Sequence, residues 1–158
     1  FYSALYEKHI GSQVMVVRKV CFEKAGLYDE QNYVEDWDIW LRFAGIGLKA
    51  DVVCGHSPLW TYRFNWQGRW SNPENEIKRL KGHLETIEKH KATAFSISSA
   101  CRQIYAQHLW DIGKRLVVVS QNKALGLWLM LKSQFYDFQW GRIPAALNKA
   151  VTKLENRQ

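Results

Sequence analysis

Glu35-Asp36-Trp37-Asp38-Ile39-Trp40-Leu41-Arg42 is the stretch that decides how the first half of the chain is organised. It opens with three carboxylates, which unpaired backbone N–H groups and the helix dipole favour at a helix N-terminus. Its apolar residues recur at three- and four-residue spacing, as on one face of a helix: Trp37, Trp40, Leu41 and Ala44. The pattern predicts a helix over residues 36–44. Acidic residues commonly cap helices, but one cap does not need three of them. The cluster therefore either caps this helix or includes a catalytic carboxylate.

Short elements are predicted on both sides of this helix. Three segments have the length and the apolar or β-branched character of strands: residues 14–18, 48–54 and 59–64. Short helices are predicted at residues 3–9 and 19–25, and Gly26 is well placed to end the second one.

The second half of the chain is predicted to be almost wholly helical. Asn72-Pro73 is the clearest boundary, because Ser71 or Asn72 can cap a helix that has Pro73 at its first position. The predicted helical segments lie near residues 73–90, 93–118, 122–138 and 142–156.

The excess of positive charge is confined to this second half. Residues 1–72 hold eight basic and eight acidic groups, which leaves 14 of the 22 basic and seven of the 15 acidic groups for residues 73–158. The second half therefore carries the whole net charge of +7. Such asymmetry predicts an anionic partner for the tail.

The composition fits one ordinary globular domain. A chain of 158 residues with 47% hydrophobic residues can bury a core and is too apolar for a disordered segment. No apolar run reaches the roughly 18 residues needed to cross a bilayer. Three widely spaced cysteines without a Cys-x-x-Cys pair predict buried thiols rather than a zinc or disulfide framework. Because the chain opens with Phe1, we expect it to be part of a longer protein.

Four linked motifs carry a resemblance to a known family. They are an apolar run ending in Arg18, the loop Gly26-Leu27-Tyr28-Asp29-Glu30, the helix start Glu35-Asp36-Trp37-Asp38 with Leu41-Arg42, and a strand-like run ending in Tyr62-Arg63. In this order and at this spacing they resemble the second half of bacterial family 2 glycosyltransferases of the GT-A type. The resemblance covers roughly residues 5–70, and the helical tail matches only as a type.

The resemblance implies an α/β fold class. Residues 1–72 would form the acceptor-side half of a GT-A catalytic domain, a Rossmann-like fold for nucleotide-sugar transfer whose N-terminal half lies outside this chain. Residues 73–158 would form an all-α C-terminal tail, and the chain would be helix-rich overall.

The resemblance also implies an activity. It is the inverting transfer of a sugar, of hexosyltransferase type, from a nucleotide-diphosphate sugar to a hydroxyl of a glycan or lipid-linked acceptor, in the synthesis of a cell-surface polysaccharide or glycan. Asp36 corresponds to the general base, which takes the proton as the hydroxyl oxygen attacks the anomeric carbon. Glu35 would contact the acceptor or stabilise the site. This chain alone is expected to be inactive, because the donor-binding half is missing.

Neighbouring residues have two possible roles each. Trp37 would be an aromatic platform under a sugar ring or a core tryptophan. Asp38 would point to the acceptor or cap the helix, and Arg42, one turn later, is expected to form an ion pair with Asp38. Arg63 or Arg69 would pair with phosphate oxygens of the donor, or lie in a surface loop packed by tryptophans.

A divalent cation, Mg or Mn, is expected in the complete enzyme, with ligands mostly outside this chain. It would stabilise the diphosphate leaving group. Asp36-Trp37-Asp38 spells the DxD metal signature, but it opens a helix instead of closing a strand, so we do not assign it to the metal. Asn65 stands where the family often has a metal-binding His, and His56 is the fallback ligand.

A nucleic-acid binder is disfavoured, because many tail aromatics fall at the spacing of a helix core and no recognised nucleic-acid motif is present. A helical interaction module that docks a protein partner or an anionic membrane surface stays open for residues 73–158. We expect a cytoplasmic protein, with peripheral contact at the inner membrane face through its basic tail.

Overall fold

The computed structural model describes residues 1–11, 15–51, 61, 73–120 and 123–138. The elements within these ranges are six helices: α1 (Tyr2–Glu7), α2 (Lys19–Ala25), α3 (Glu35–Gly45), α4 (Pro73–Ile97), α5 (Ala100–Val119) and α6 (Lys123–Tyr136). None of these helices combines the length and the apolar character that crossing a bilayer requires.

The predicted α/β fold class, a partial Rossmann-like GT-A domain, is wrong for the part of the chain that the structure describes. These residues form no strand and no sheet. In the first predicted strand, Met15 and Val17 pack against the core while Val16 is fully exposed, which is the alternation of a strand. A strand also needs a hydrogen-bonded neighbour, and this segment pairs with none of the described residues.

The other two predicted strands fall mostly outside the described residues. Residues 48–51 and Thr61, the only described parts of them, are not in strands. In the described parts of these segments, the apolar side chains that favoured strands pack against helices, while the backbone is irregular. Leu48, for example, packs against the core without belonging to any sheet.

The predicted helices of the first half are confirmed. α2 spans the predicted residues 19–25, and Gly26 ends it with a φ of 82°, a conformation that glycine adopts without strain. α3 extends the predicted 36–44 by one residue at each end. α1 begins and ends earlier than the predicted 3–9.

In the second half, one predicted helix break is misplaced. The break expected between residues 90 and 93 does not exist, and α4 continues for 25 residues to Ile97. The chain turns instead at Ser98 and Ser99, where the Ser98 hydroxyl accepts a hydrogen bond from the Ala100 N–H at 3.3 Å. Serine competes for backbone hydrogen bonds and so favours helix ends. The predicted helix 142–156 lies outside the described residues.

The buried side chains of both halves share one core. α1 packs against α3, α4 and α5, and α5 runs along α6. The hydroxyl of Tyr6, which is fully buried, donates to the Ile87 carbonyl at 2.9 Å and so ties α1 to α4. Helices on both sides of the predicted boundary at residue 72 thus contribute to the same core, while the division into 1–72 and 73–158 stays a prediction.

Two glycines allow α5 and α6 to approach each other closely. Gly113 lies in the middle of α5 and faces Gly126 of α6. A Cβ atom placed on Gly113 would lie 2.7 Å from the Gly126 carbonyl oxygen, and one placed on Gly126 would lie 2.7 Å from the Gly113 oxygen. Because these neighbours are backbone atoms, neither helix can give way without moving as a whole.

We expect Gly113→Ala to lower the free energy of unfolding by about 1–3 kcal/mol, even though alanine is the better helix former. The added methyl group would push α6 away from α5. Thermal unfolding followed by circular dichroism measures the change. Gln103→Ala, on the exposed face of the same helix, is the control and should change stability by less than about 0.5 kcal/mol. Equal melting temperatures for wild type and Gly113→Ala would contradict the close packing.

Candidate functional site

A surface cleft of about 650 Å³ lies where the α2–α3 loop meets the start of α3. Phenol, carboxylate and amide groups line it: Tyr28, Glu30, Gln31, Asn32, Tyr33, Glu35 and Asp36. The cleft thus contains two of the predicted site residues, Glu35 and Asp36, and five neighbours from the preceding loop.

Asn32 holds the cleft loop in place. Its side-chain oxygen accepts a hydrogen bond from the Val34 N–H at 3.0 Å, and its amide nitrogen donates to the Thr86 hydroxyl of α4 at 2.8 Å. Gly82 of α4 makes room for this contact, because a Cβ there would lie 3.0 Å from the Asn32 oxygen. These contacts hold the loop against α4.

Asp36 lies in the first turn of α3, at the edge of the cleft. One carboxylate oxygen accepts the Trp37 backbone N–H at 2.9 Å and lies 2.7 Å from His9 Nε2. Because a carboxylate only accepts, the imidazole N–H is the donor of this pair. The Asp36 side chain is 16% exposed, so it is sheltered but reachable from the cleft.

Ring contacts orient His9. Its imidazole stacks on Trp37 with ring centres 6.0 Å apart and meets the edge of His83 at 5.8 Å. Burial, with help from the neighbouring His9 and Arg79, lowers the pKa of His83 to about 3, so that ring is neutral at pH 7. A neutral neighbour places no charge against His9, which leaves the imidazole free to donate to Asp36.

Asp38 has the opposite environment, although it lies only two residues further on. Its side chain is fully buried. The carboxylate accepts from Arg42 Nε at 3.0 Å, from Lys89 Nζ at 3.0 Å and from His90 Nε2 at 2.8 Å. Lys89 also reaches Asp29, at 3.4 Å. Asp38 therefore ties α3 to α4 and does not face the cleft, which accords with a structural role.

The partners of Asp38 outweigh the cost of its burial. Burial by itself would raise the pKa of this carboxyl group. Hydrogen bonds from His90 and Lys89, together with their positive charge, instead lower the pKa of Asp38 from 3.8 to about 2. The carboxylate is thus ionised throughout the physiological range, as a buried anion surrounded by donors should be.

Arg42 extends the Asp38 network to the cleft loop. The predicted ion pair between Arg42 and Asp38 is confirmed, with 3.0 Å between Nε and the carboxylate. The two terminal nitrogens of Arg42 donate to the Ala25 and Leu27 carbonyls, each at 2.6 Å. These bonds satisfy carbonyls at and beyond the end of α2 and hold the chain just before Tyr28.

The remaining predicted residues near the motif differ in exposure. Trp37 is 2% exposed and donates from Nε1 to the Leu5 carbonyl at 2.6 Å, so it is placed as a core tryptophan. Glu35 lines the cleft.

Burial and the nearby carboxylates of Asp36 and Glu35 raise the pKa of Tyr28, so its hydroxyl stays protonated at pH 7 and can donate.

Four predicted residues lie outside the described ranges: Arg63, Arg69, Asn65 and His56. Their proposed contacts with phosphate or a metal ion stay predictions. Within the described part of the chain, no group of three or more His, Cys, Asp or Glu side chains could hold a metal ion.

The sequence revealed Arg42 as a partner of Asp38, but it did not reveal the partners that come from other parts of the chain. His9 precedes Asp36 by 27 residues, and His90 follows Asp38 by 52. Such contacts arise only when α1 and α4 pack against α3, so no local spacing encodes them. Asn32 does carry a local signal, because an Asn that bonds the N–H two residues on forms an Asx turn.

Comparisons with models of protein families, with curated proteins and with solved structures found no significant match to this chain. The cleft, its aspartate–histidine pair and the sequence motifs are therefore the basis for assigning a function.

We expect Asp38→Asn to lower the free energy of unfolding at pH 7 by about 3 kcal/mol, because it leaves His90, Lys89 and Arg42 without their anion. The folded pKa of about 2 lies below the ordinary 3.8, so the carboxylate stabilises the fold above pH 3.8 and loses that effect as the pH falls towards 2. The difference between wild type and variant should narrow over the same interval. Urea unfolding at several pH values measures it.

Asp111→Asn is the matched control for this substitution. Asp111 pairs with Lys114 at the surface, where both side chains are nearly half exposed. Its loss should cost less than about 1 kcal/mol. A similar small cost for Asp38→Asn would show that the buried network does not stabilise the fold.

Proposed function

We propose that this chain carries the acceptor side of an inverting glycosyltransferase site, with Asp36 as the general base. The observation that carries the proposal is the position of the Asp36 carboxylate, which lines the cleft and is held by His9 at 2.7 Å. A base must be fixed within hydrogen-bond reach of the proton it takes, and this carboxylate is fixed by two donors and a helix start.

The cleft suits a polyhydroxylated acceptor. The carboxylates of Glu30 and Glu35 can accept hydrogen bonds from sugar hydroxyls, while the amide of Gln31 can both donate and accept. Tyr28 and Tyr33 offer aromatic faces for the apolar C–H face of a sugar ring, with hydroxyl groups at their rims.

The proposed step transfers one proton and exchanges one bond. Asp36 takes the proton from an acceptor hydroxyl as that oxygen forms a bond to the anomeric carbon of the donor sugar. The bond between this carbon and the diphosphate oxygen breaks, and the nucleoside diphosphate leaves with the electron pair. Attack opposite the leaving group inverts the anomeric configuration. The position of Asp36 at the N-terminus of α3 favours its ionised form, which a base requires.

The donor is expected to bind to residues outside the described ranges. Arg63 and Arg69 are candidates for its phosphate oxygens, and a divalent cation would stabilise the leaving diphosphate when bound. The resemblance of the four motifs supports a site in which the cleft binds the acceptor and residues outside the described ranges bind the donor.

His9 is proposed as the positioning residue for Asp36. Its N–H reaches the same oxygen that accepts the Trp37 backbone N–H, so the two donors fix the orientation of the carboxylate. The stacking of His9 on Trp37 fixes the imidazole in turn. This arrangement supports a base whose direction is set before the acceptor arrives.

In the full-length protein, we expect Asp36→Asn to lower kcat for sugar transfer by about 10²–10⁴-fold, because the amide cannot take the proton. Binding of the donor nucleotide should be unchanged, since Asp36 contacts the acceptor. Transfer is measured with a radiolabelled nucleotide-sugar, and nucleotide binding by calorimetry. Asp111→Asn is the control for loss of a carboxylate elsewhere and should keep full activity. Normal turnover by Asp36→Asn would remove Asp36 from the role of base.

The role of His9 can be tested with two substitutions. We expect His9→Ala to lower kcat by roughly tenfold to a hundredfold, because Asp36 loses one of the donors that orient it. His9→Gln keeps an N–H donor at similar reach and should recover most of the activity. Thermal unfolding of both variants separates this effect from lost packing against Trp37. Equal loss of activity in the two variants would argue against positioning through the hydrogen bond.

A further inference from the structure

One face of α6 exposes large apolar side chains to solvent. Leu127 and Trp128 are 49% and 53% exposed, Leu131 is 64% exposed and Phe135 is 89% exposed. Their spacing of one, three and four residues places them on one side of the helix. These four residues are called the α6 apolar face. Four large side chains so close together are more than the scattered exposed hydrophobics of an ordinary surface.

The opposite side of α6 accounts for the packing of this helix. Gly126, Leu129 and Ser133 are buried there, and Gly126 contacts the backbone of α5. Leu129 belongs to the common core. Because α6 is already held by that side, the apolar face is not needed to attach the helix to the described part of the fold.

The half of the chain that contains this face carries a positive net charge. α6 contains Lys123 and Lys132 and no acidic residue, and Asp137 follows it in the sequence. Residues 139–158 add four basic groups and one acidic group in sequence, and residues 73–158 carry all of the net charge of +7. Lys132 Nζ lies 4.9 Å from the Trp128 ring centre and 2.6 Å from a carboxylate oxygen of Glu88, so this cation lies beside the exposed ring but is paired with an anion. Apolar and basic groups thus occur together in the same part of the chain.

We propose that the α6 apolar face docks onto an anionic lipid membrane. Aromatic side chains such as those of Trp128 and Phe135 favour the boundary between lipid headgroups and acyl chains. Leu127 and Leu131 would insert beside them. The excess of lysines and arginines in residues 73–158 would favour the negative surface of the membrane. A second copy of this chain is a poorer occupant, because it would bring another positively charged tail to the same face. The inference stands apart from the sugar-transfer proposal.

The test measures binding of the whole chain to vesicles. One set contains phosphatidylcholine alone, and the other contains phosphatidylcholine mixed with phosphatidylserine. We expect binding to the mixed vesicles that weakens with added salt, and little binding to phosphatidylcholine alone. The double substitution Leu131→Ser and Phe135→Ser should lower the partition coefficient roughly tenfold or more, because two large apolar groups no longer enter the bilayer.

Phe1→Ser is the matched control, since Phe1 is 64% exposed but lies outside α6. It should bind vesicles like the wild type, and circular dichroism should show the same helix content for all variants. If the double variant loses helix content, hydrogen exchange of the wild type decides instead, with protection of residues 127–135 on mixed vesicles as the expected result. Vesicles contain no sugar acceptor, so this outcome is separate from the test of Asp36.

Several results would overturn the proposal. They are equal binding by the wild type and the folded double variant, binding that is indifferent to lipid charge, and unchanged hydrogen exchange over residues 127–135 when mixed vesicles are added. A dimer in light scattering that Phe135→Ser dissociates would assign the face to a second copy instead. Absence of vesicle binding with residues 127–135 already protected in the free chain would assign it to residues 139–158.

Discussion

The buried carboxylate of Asp38 constrains the arrangement of α2, α3 and α4, and with it the loop that forms the cleft. A charge removed from water is tolerated only when donors surround it, and here Arg42, Lys89 and His90 all reach it within 3.0 Å. Any rotation or shift of α3 against α4 would separate this anion from at least one partner. Arg42, which pairs with Asp38, also donates a hydrogen bond to the Ala25 carbonyl and so holds the end of α2 in place. The start of the cleft loop is therefore held by the same set of charges, while Asn32 holds its end through neutral hydrogen bonds.

The two aspartates of one motif have different roles because of helix geometry. Positions two residues apart on an α-helix point about 200° from each other. When Asp38 points into the protein, Asp36 must point away from that network, towards the cleft and His9. A protein that needed only a helix cap would not require both. Loss of activity on substitution of Asp38 would accordingly report on the shape of the cleft, whereas substitution of Asp36 acts on the proposed chemistry itself.

Local patterns predicted those features whose causes are local. Apolar periodicity and a glycine stop located α2 and α3, and one-turn spacing predicted the Arg42–Asp38 pair, because each depends on neighbours along the helix. The strands were predicted from composition, but a strand exists only through a partner elsewhere in the chain, and none pairs with residues 15–18 among the described residues. His9 and His90 were missed for the same reason, since tertiary packing brings them to the motif.

α4 connects the two surfaces to which functions are proposed. Three consecutive residues of this helix hold different parts of the molecule. Glu88 accepts from Lys132 of α6 at 2.6 Å and from the Tyr105 hydroxyl of α5, while Lys89 and His90 bind Asp38 of α3. The apolar face of α6 and the cleft are thus attached to one helix by charged hydrogen bonds, which are stronger than neutral ones. If α6 docks onto a membrane as proposed, these bonds through α4 would restrict the orientation of the cleft relative to that membrane.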